Sequence, residues 1–367
     1  MLRRGARAWI AAGQLVLPVA GAAQGDDPAT VEHVYSAPAP LAPQSLLLDG
    51  FAIDDRLIVV GERGHILTSE DAGRTWDQAQ VPTHATLTGV WFADREHGWA
   101  VGHDEVILKS VDGGRVWDLV HAMPENLWPL LDVWFRNRQH GVAVGAYSRY
   151  LVTDDAGVTW REEPFEPQPL SELDATEEDG GAAAQPPISD QEWSEEEDLG
   201  FEVHLNEIVP AGPRLYMPAE AGQIFRSQDG GDTWQRLPSP YEGSFYGLLW
   251  LGDDTLLVFG LRGNLFRSED AGASWNEIAS GTEAMLTDGI VTPEGTIVIV
   301  GLAGSVIISR DGGRSFELDQ QADRKGFARI LPAEGGFVLL GESGARRYQL
   351  PTGADRTSAN IDAEGPP

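Results

Sequence analysis

The chain has 367 residues, no cysteine and a formal net charge of −31. The absence of cysteine excludes disulfides, thiolate metal sites and lipid attachment at a cysteine. The acidic balance disfavours binding to nucleic acid or to anionic membranes. We therefore expect a neutral or basic protein partner, no cofactor and no metal, although solubility alone is the simpler reading of the charge.

Residues 1–23 have the pattern of a cleaved secretory signal. Three arginines precede an apolar run from Trp9 to Ala20, and the small residues Ala20–Ala23 supply an Ala-x-Ala cleavage pattern. An N-terminal membrane anchor is the alternative, but the run is too short to span about 30 Å of hydrocarbon. We expect cleavage, a periplasmic location and no membrane insertion of the mature chain.

An acidic box that contains glycine and ends in an aromatic residue occurs six times. The copies read SEDAGRTW, SVDGGRVW, TDDAGVTW, SQDGGDTW, SEDAGASW and SRDGGRSF. An apolar run precedes each box, and a seventh run, FVLLGESGARRYQL, has no box. The equivalent residues of the seven runs are Gly61, Gly102, Gly145, Ala219, Gly260, Gly301 and Gly341. Seven units of about 41 residues, with one longer interval, indicate a repeat architecture.

Each unit reads as four short strands joined by turns, with no helical periodicity. A period near 40 with four strands per unit is typical of a propeller blade. We therefore predict an all-β fold, a seven-bladed β-propeller of four-stranded antiparallel blades over residues 24–350. The last unit lacks an outer strand, and Val31–Ala37 resembles the outer strands. We predict that this N-terminal strand completes the last blade and closes the ring.

The boxes are predicted to hold turns rather than to perform chemistry. Their aspartates can accept backbone N–H groups within the turn, and glycine supplies positive φ. The aspartates are Asp71, Asp112, Asp155, Asp229, Asp270 and Asp311. The aromatic residues, predicted to fill the wedges between blades, are Trp76, Trp117, Trp160, Trp234, Trp275 and Phe316. Calcium ligation or acid catalysis is disfavoured, because six sites spread around a rim cannot converge and the box lacks alternating oxygen ligands.

The boxes resemble Asp-box, or bacterial neuraminidase, repeats. The longer pattern LTGVWFADREHGWAVGHDEVILKSVDGGRVWDLV resembles the photosystem II assembly and stability factor family, whose relatives also occur in non-photosynthetic bacteria. The resemblance covers roughly residues 31–350. It implies a seven-bladed propeller that is exported and that assists a membrane complex. Arginines are scattered here, whereas that family presents an arginine patch to its client.

Loops opposite the boxes are the candidate partner-binding face, since binding residues concentrate on loops of rigid scaffolds. The candidates are Arg63, His103, Trp128, Arg149, Glu220, Tyr246, Arg262 and Glu342. Residues 166–202 form an acidic insertion between the third and fourth blades, partly disordered by composition, that is either an arm for a basic partner or a tolerated loop. Residues 351–367 are predicted to be a flexible polar tail.

The predicted function is a non-catalytic, monomeric interaction scaffold for a membrane or envelope complex. The alternative is a glycan-active, sialidase-like hydrolase, which requires an arginine cluster and acids that converge at the axis. The sequence contains no His-Glu-x-x-His, Gly-x-Ser-x-Gly or phosphate-binding loop. We expect no enzyme activity and no catalytic residue.

Overall fold

The computed structural model describes residues 34–169 and 202–351. Seven antiparallel sheets form a seven-bladed β-propeller, so the predicted fold is confirmed. The predicted signal peptide, most of the acidic insertion and all but the first residue of the tail lie outside the described residues. Nowhere in the described ranges does a helix have the length and apolar character needed to cross a bilayer.

Each blade begins with the strand nearest the axis of the ring and proceeds outward. The innermost strands are β1 (Leu47–Ile53), β5 (Leu87–Phe92), β9 (Leu130–Phe135), β14 (Val209–Ala211), β18 (Phe245–Gly252), β22 (Leu286–Val291) and β26 (Phe327–Ala333). The second strands are β2 (Arg56–Gly61), β6 (Gly98–Gly102), β10 (Gly141–Gly145), β15 (Arg214–Pro218), β19 (Thr255–Gly260), β23 (Ile297–Gly301) and β27 (Gly336–Gly341).

The third strands are β3 (Ile66–Ser69), β7 (Ile107–Ser110), β11 (Tyr150–Thr153), β16 (Ile224–Ser227), β20 (Leu265–Ser268), β24 (Ser305–Ser309) and β28 (Arg346–Tyr348). The outer strands are β4 (Asp77–Gln78), β8 (Asp118–His121), β12 (Arg161–Glu162), β17 (Gln235–Arg236), β21 (Asn276–Glu277) and β25 (Glu317–Gln320). Short 3-10 helices in the described ranges are Ala42–Gln44, Glu62–Gly64, His103–Glu105, Leu261–Gly263 and Leu302–Gly304.

The start of the predicted insertion is ordered against the fourth blade. β13 (Gln168–Pro169) pairs in parallel with β17 and gives this blade a fifth strand. The Phe165 ring packs nearby, 5.0 Å from the Phe225 ring between centroids. The chain therefore leaves the third blade along the outer edge of the fourth.

The core lies in seven hydrophobic clusters, one in each wedge between neighbouring blades. The second strands read as continuous buried apolar runs because they face a neighbouring blade on both sides. The six box aromatics pack against six of these clusters. The wedge between the sixth and seventh blades instead holds Tyr348 and Leu350, because the seventh blade has no box.

Each box aspartate binds within its own turn. Asp71 Oδ1 accepts the Thr75 N–H at 2.8 Å, and its Oδ2 accepts the Thr75 hydroxyl at 2.6 Å. The Thr75 hydroxyl and N–H favour the ionised form and hold the pKa of Asp71 at about 2. The other five aspartates also accept the N–H of the residue four positions on, and all of them except Asp112, which faces Val116, also accept a hydroxyl from that residue. These carboxylates point back into their own turns, not toward a shared centre.

The predicted closure by residues 31–37 is wrong for the part that the structure describes. Val34–Ala37 forms no strand, and the described seventh sheet has three strands. The Ser36 N–H donates to the Val81 carbonyl at 2.8 Å, so the segment follows the first blade. The backbone polar groups of this segment therefore find their partners beside the first blade, whereas the prediction placed them beside the last blade.

The last and first blades are instead joined by packing. A single hydrophobic cluster takes Leu331, Val338 and Leu340 from the seventh blade and Leu47 and Val59 from the first. The 3-10 turn Ala42–Gln44 covers the junction, where the Ala345 N–H donates to the Pro43 carbonyl at 2.9 Å. Burial of apolar surface at this seam therefore closes the ring without a shared sheet.

Candidate functional site

One end of the ring, here called the turn face, carries the turns between the second and third strands. The innermost strands begin at the same end, because Leu47 at the start of β1 pairs with Gly61 at the end of β2. The boxes, which join the third and fourth strands, lie at the opposite end, here called the box face. The predicted partner-binding residues all belong to the turn face.

Five of the predicted residues are exposed on this face: Arg63, His103, Trp128, Arg262 and Glu342. Glu342 lies 3.8 Å from Lys325 in an exposed ion pair. Glu220 is partly exposed and lies 3.7 Å from His204. These side chains are spread over several blades, so the structure does not bring them together into one constellation.

Arg149 differs from the prediction because its side chain is 8% exposed. It forms ion pairs with Glu105, which is fully buried, and with Glu162. Its guanidinium carbon lies 5.1 Å from the centroid of the Trp128 ring. Arg149, predicted as a candidate on the partner-binding face, is therefore not a free surface cation, because the buried Glu105 carboxylate binds its guanidinium beneath the Trp128 ring.

Trp128, in the link from the second blade to the third, belongs to an exposed aromatic cluster that extends to the link between the third and fourth blades. The Trp128 and Tyr147 rings lie 6.4 Å apart between centroids, and the Tyr147 and His204 rings lie 5.2 Å apart. Leu127 beside them is 73% exposed, Tyr147 is 50% and Trp128 is 38%. We call Leu127, Trp128, Tyr147 and His204 the aromatic patch.

A second feature of the turn face is a ring of side chains around the propeller axis. In each blade this position lies two residues after the first apolar residue at the start of the innermost strand or the link that leads to it, as Asp49 follows Leu47. A bulge lies beside it in several blades. The seven equivalent residues are Asp49, Gly89, Asp132, Glu207, Gly247, Asp288 and Arg329. We call these residues the axial ring; it contains four carboxyl groups and a single arginine.

Arg329 reaches three of these carboxylates from the seventh blade. Its Nε lies 3.0 Å from Asp49, and its Nη1 lies 2.9 Å from Glu207 and 3.3 Å from Asp288. These residues come from the first, fourth and sixth blades. The arginine thus links blades that are far apart in sequence and across the ring.

Three axial aspartates also bind the backbone of the next blade. Oδ2 of Asp49 accepts the Val90 N–H at 2.7 Å, and Oδ2 of Asp132 accepts the Ile208 N–H at 2.7 Å. Asp288 accepts from the seventh blade at the same distance. The carboxylates therefore serve first as links between neighbouring innermost strands.

Burial disfavours charge on these carboxyl groups. Burial, with the nearby Asp49 charge, raises the pKa of Asp132 to about 7. Burial also raises the pKa of Glu207, against the lowering effect of Arg329. The same cause raises the pKa of Asp49 and of Asp288. Asp49 and Asp288 are buried, whereas Asp132 and Glu207 are partly exposed. One arginine does not offset four acids, which favours the protonated form of carboxyl groups at the axis.

A small cavity opens at this axial ring. Its volume is about 110 Å³, and Asp132, Glu207, Tyr246 and Arg329 are among its lining residues. Tyr246, predicted on the partner-binding face, thus lies at the axis. The cavity is well below the ~300 Å³ at which ligand pockets begin. Its single arginine is committed to ion pairs, so the arginine cluster required by the hydrolase alternative is not assembled here.

Within the described ranges, one group of side chains has the spacing of a metal site. Asp94, Glu96 and His97 lie at a corner of the second blade on the box face. Asp94 already accepts from the His97 ring and from Arg138. These bonds account for the arrangement as a turn with a surface ion pair.

Sequence reasoning missed the axial ring, although the signal was present. Aligning the seven units on the residue equivalent to Leu47, rather than on the glycine of the second strand, places the axial positions in one column. That column holds acids in four units and arginine in one. Charged residues at a position surrounded by apolar strand residues indicate a shared polar environment.

The comparisons with known proteins agree with this fold. The model of the family described as "Photosynthesis system II assembly factor YCF48" matches residues 68–127. The structure aligns with "YCF48 bound to D1 peptide" at a TM-score of 0.61 and 16% identity, over 84% of this chain and 94% of that chain. It aligns with "YCF48 from Cyanidioschyzon merolae" at a TM-score of 0.63 and 18% identity, over 84% and 95%.

A more distant likeness is to the WD40 β-propeller domain of Doa1, at a TM-score of 0.57 and 11% identity, over 88% of this chain and 97% of that chain. No curated protein matches the sequence. The predicted resemblance to photosystem II assembly factor-like propellers is confirmed. At these identities the structural likeness shows the fold.

Proposed function

We propose that this chain is an exported, non-catalytic propeller that binds a protein through its turn face and assists assembly of a membrane or envelope complex. The observation that carries the proposal is the likeness to a solved propeller described as bound to a peptide. The same fold here presents exposed aromatic side chains on a rigid face. A protein-binding role follows from that likeness together with this surface.

Two features of the chain support the location and the nature of the client. The pattern of residues 1–23 supports export and a periplasmic protein. The net charge of −31 supports a client with a neutral or basic surface. The arginine patch expected for a photosystem client is not gathered on the turn face. The exposed Arg63 and Arg262 lie on different blades, Arg149 is buried and Arg329 lies at the axis. A different membrane complex is therefore the proposed client.

The test is chemical crosslinking of a C-terminally tagged chain in the envelope of its own host, followed by mass spectrometry. We expect a mature chain that lacks residues 1–23, recovery in the periplasmic fraction, and crosslinks from turn-face residues to a membrane-associated protein. A tagged periplasmic protein of similar charge provides the background. Recovery in the cytoplasm, or crosslinks no richer than this background, would refute the proposal.

The hydrolase alternative has its own measurement. We expect no turnover of fluorogenic sialosides or other glycosides by the purified chain. Turnover that disappears in Glu207→Gln, with an unchanged melting temperature, would replace the scaffold proposal by a hydrolase.

A further inference from the structure

The aromatic patch differs from the other apolar residues on the surface. Leu127, Trp128 and Tyr147 are exposed side by side, whereas most other exposed large apolar residues of the described ranges lie singly around the ring. Tyr147 also contacts His204 edge to face. Isolated surface apolar residues are ordinary, but a contiguous group on one face marks an interaction site.

The patch is held rigidly from below. The Trp128 ring lies over Arg149, whose guanidinium is bound to the fully buried Glu105. The Trp128 carbonyl accepts the Glu105 N–H at 3.0 Å, and Asn126 donates its side-chain amide to Glu105 at 3.0 Å. An aromatic ring fixed in this way, as Trp128 is, loses little side-chain entropy on binding, which is typical of residues that dominate interface energies.

The charges around the patch are of one sign. Asp104, Glu125, Glu202 and Glu220 lie in four of the five segments that form its border. Those segments, residues 103–105 with 121–130, 145–149, 202–206 and 218–223, contain one arginine or lysine, Arg149. Because Arg149 is buried and paired, the rim is acidic with aromatic rings at its centre.

We propose that the aromatic patch is the docking site for a segment of a partner protein that carries arginine or lysine next to an apolar side chain. The acidic rim attracts the cation, and the exposed faces of Trp128 and Tyr147 hold it by cation–π contact. Leu127 contacts the adjacent apolar side chain. This inference rests on the proposed function and names the chemistry of the partner.

The test uses a phage-displayed library of random 12-residue peptides, panned against the purified chain. We expect the enriched peptides to share an arginine or lysine beside an apolar residue. Binding of a labelled consensus peptide should weaken at least tenfold in Trp128→Ala/Tyr147→Ala. The matched control is Trp250→Ala, because Trp250 is 39% exposed and lies at the end of β18 on the box face. Its affinity should stay within twofold of the unchanged chain.

A second variant distinguishes loss of binding from loss of folding. Leu127→Lys/Tyr147→Lys keeps the Trp128 ring over Arg149 and repels basic peptides, so it should lose binding with an unchanged melting temperature. No enrichment, an acidic consensus, or peptides that bind all variants equally would overturn the proposal. If the double-lysine variant keeps its envelope crosslinks, the docking site is wrong but the scaffold function stands. If the unchanged chain has no crosslinked partner, the proposed function itself fails.

Discussion

The Nε atom of Arg329 lies 3.0 Å from Oδ1 of Asp49, and this ion pair joins the innermost strand of the last blade to that of the first. The guanidinium also contacts Glu207 and Asp288, so one cation serves carboxylates from three other blades. The Arg329 side chain is 31% exposed, and it stabilises the fold mainly by offsetting the cost of placing several acids close together at the axis. Its removal should therefore cost more than any surface pair.

Arg329→Met should lower the free energy of unfolding by about 3–5 kcal/mol, because it leaves buried carboxylates without their cation. Denaturant unfolding at pH 7.5 measures the change. The control is Arg95→Met, whose half-exposed side chain pairs with Asp54 and Asp55 at 3.0 and 2.9 Å. That variant should change stability by less than ~1 kcal/mol. Similar effects of the two substitutions would contradict the role of Arg329.

The contribution of the axial carboxyl groups to stability should fall as the pH rises from about 4 through 7, because the pKa of Asp132 is raised to about 7 and that of Glu207 is also raised. Between the unfolded and folded pKa values the folded chain holds more protons, so rising pH favours unfolding. One such carboxyl changes the unfolding free energy by at most about 1.4 kcal/mol per pH unit.

Glu207→Gln should flatten this dependence. The comparison between variant and unchanged chain is the informative quantity, because burial lowers the pKa of His65 and of His121 and so acts in the opposite direction. Unfolding at half-unit steps from pH 5 to 8 measures the difference. Parallel curves would show that Glu207 does not titrate at the axis.

Trp99→Ala should destabilise the ring by about 3–5 kcal/mol. Trp99 is fully buried, stacks on Phe135 with centroids 3.4 Å apart, and donates its indole N–H to the Ala156 carbonyl at 3.1 Å. It thus fills the wedge between the second and third blades. Trp250→Ala removes an equally large but exposed ring and should cost far less. An equal loss in the two variants would argue against wedge packing.

Asp155→Ala should lower the melting temperature by a few degrees, because the Thr159 N–H and hydroxyl lose their acceptor. The Thr159 hydroxyl holds the pKa of Asp155 at about 2. Its contribution should therefore be present above about pH 4 and be lost as the pH falls toward 2. Asp154→Ala, at the neighbouring exposed position, is the matched control. A melting temperature that is unchanged in Asp155→Ala but reduced in the control would be contrary to the turn-holding role.

Gly344→Ala tests how the ring closes. Gly344 has a φ of 74°, and an added Cβ would lie 2.0 Å from the Pro43 carbonyl oxygen. Gly335 has a φ of 78° in the same blade, but its nearest contact would be at 3.8 Å. Backbone strain is thus matched, and we expect Gly344→Ala to cost about 1–3 kcal/mol more than Gly335→Ala by thermal unfolding. Equal costs would mean that Ala42–Gln44 does not cover the seam.

The number of blades, the strand pattern and the box turns could be predicted from the residues alone. These features depend on residues close together in the chain: Asp71 and Thr75 are four residues apart, and the alternation of strands and turns is local. The resemblance carried by the longer repeat was also sufficient for the fold. Local hydrogen bonds and turns can be predicted from a single sequence because each repeat contains the same pattern of residues.

The tertiary structure alone decided which ends meet at the seam, where Arg149 points and which residues face the axis. Asp49 and Arg329 are 280 positions apart, and they meet only because the ring closes. Arg149 is buried by Glu105 from the neighbouring blade. Such long-range contacts depend on how seven similar wedges pack together. The burial that they create sets the charge state of the axial carboxyl groups, and no local pattern predicts that burial.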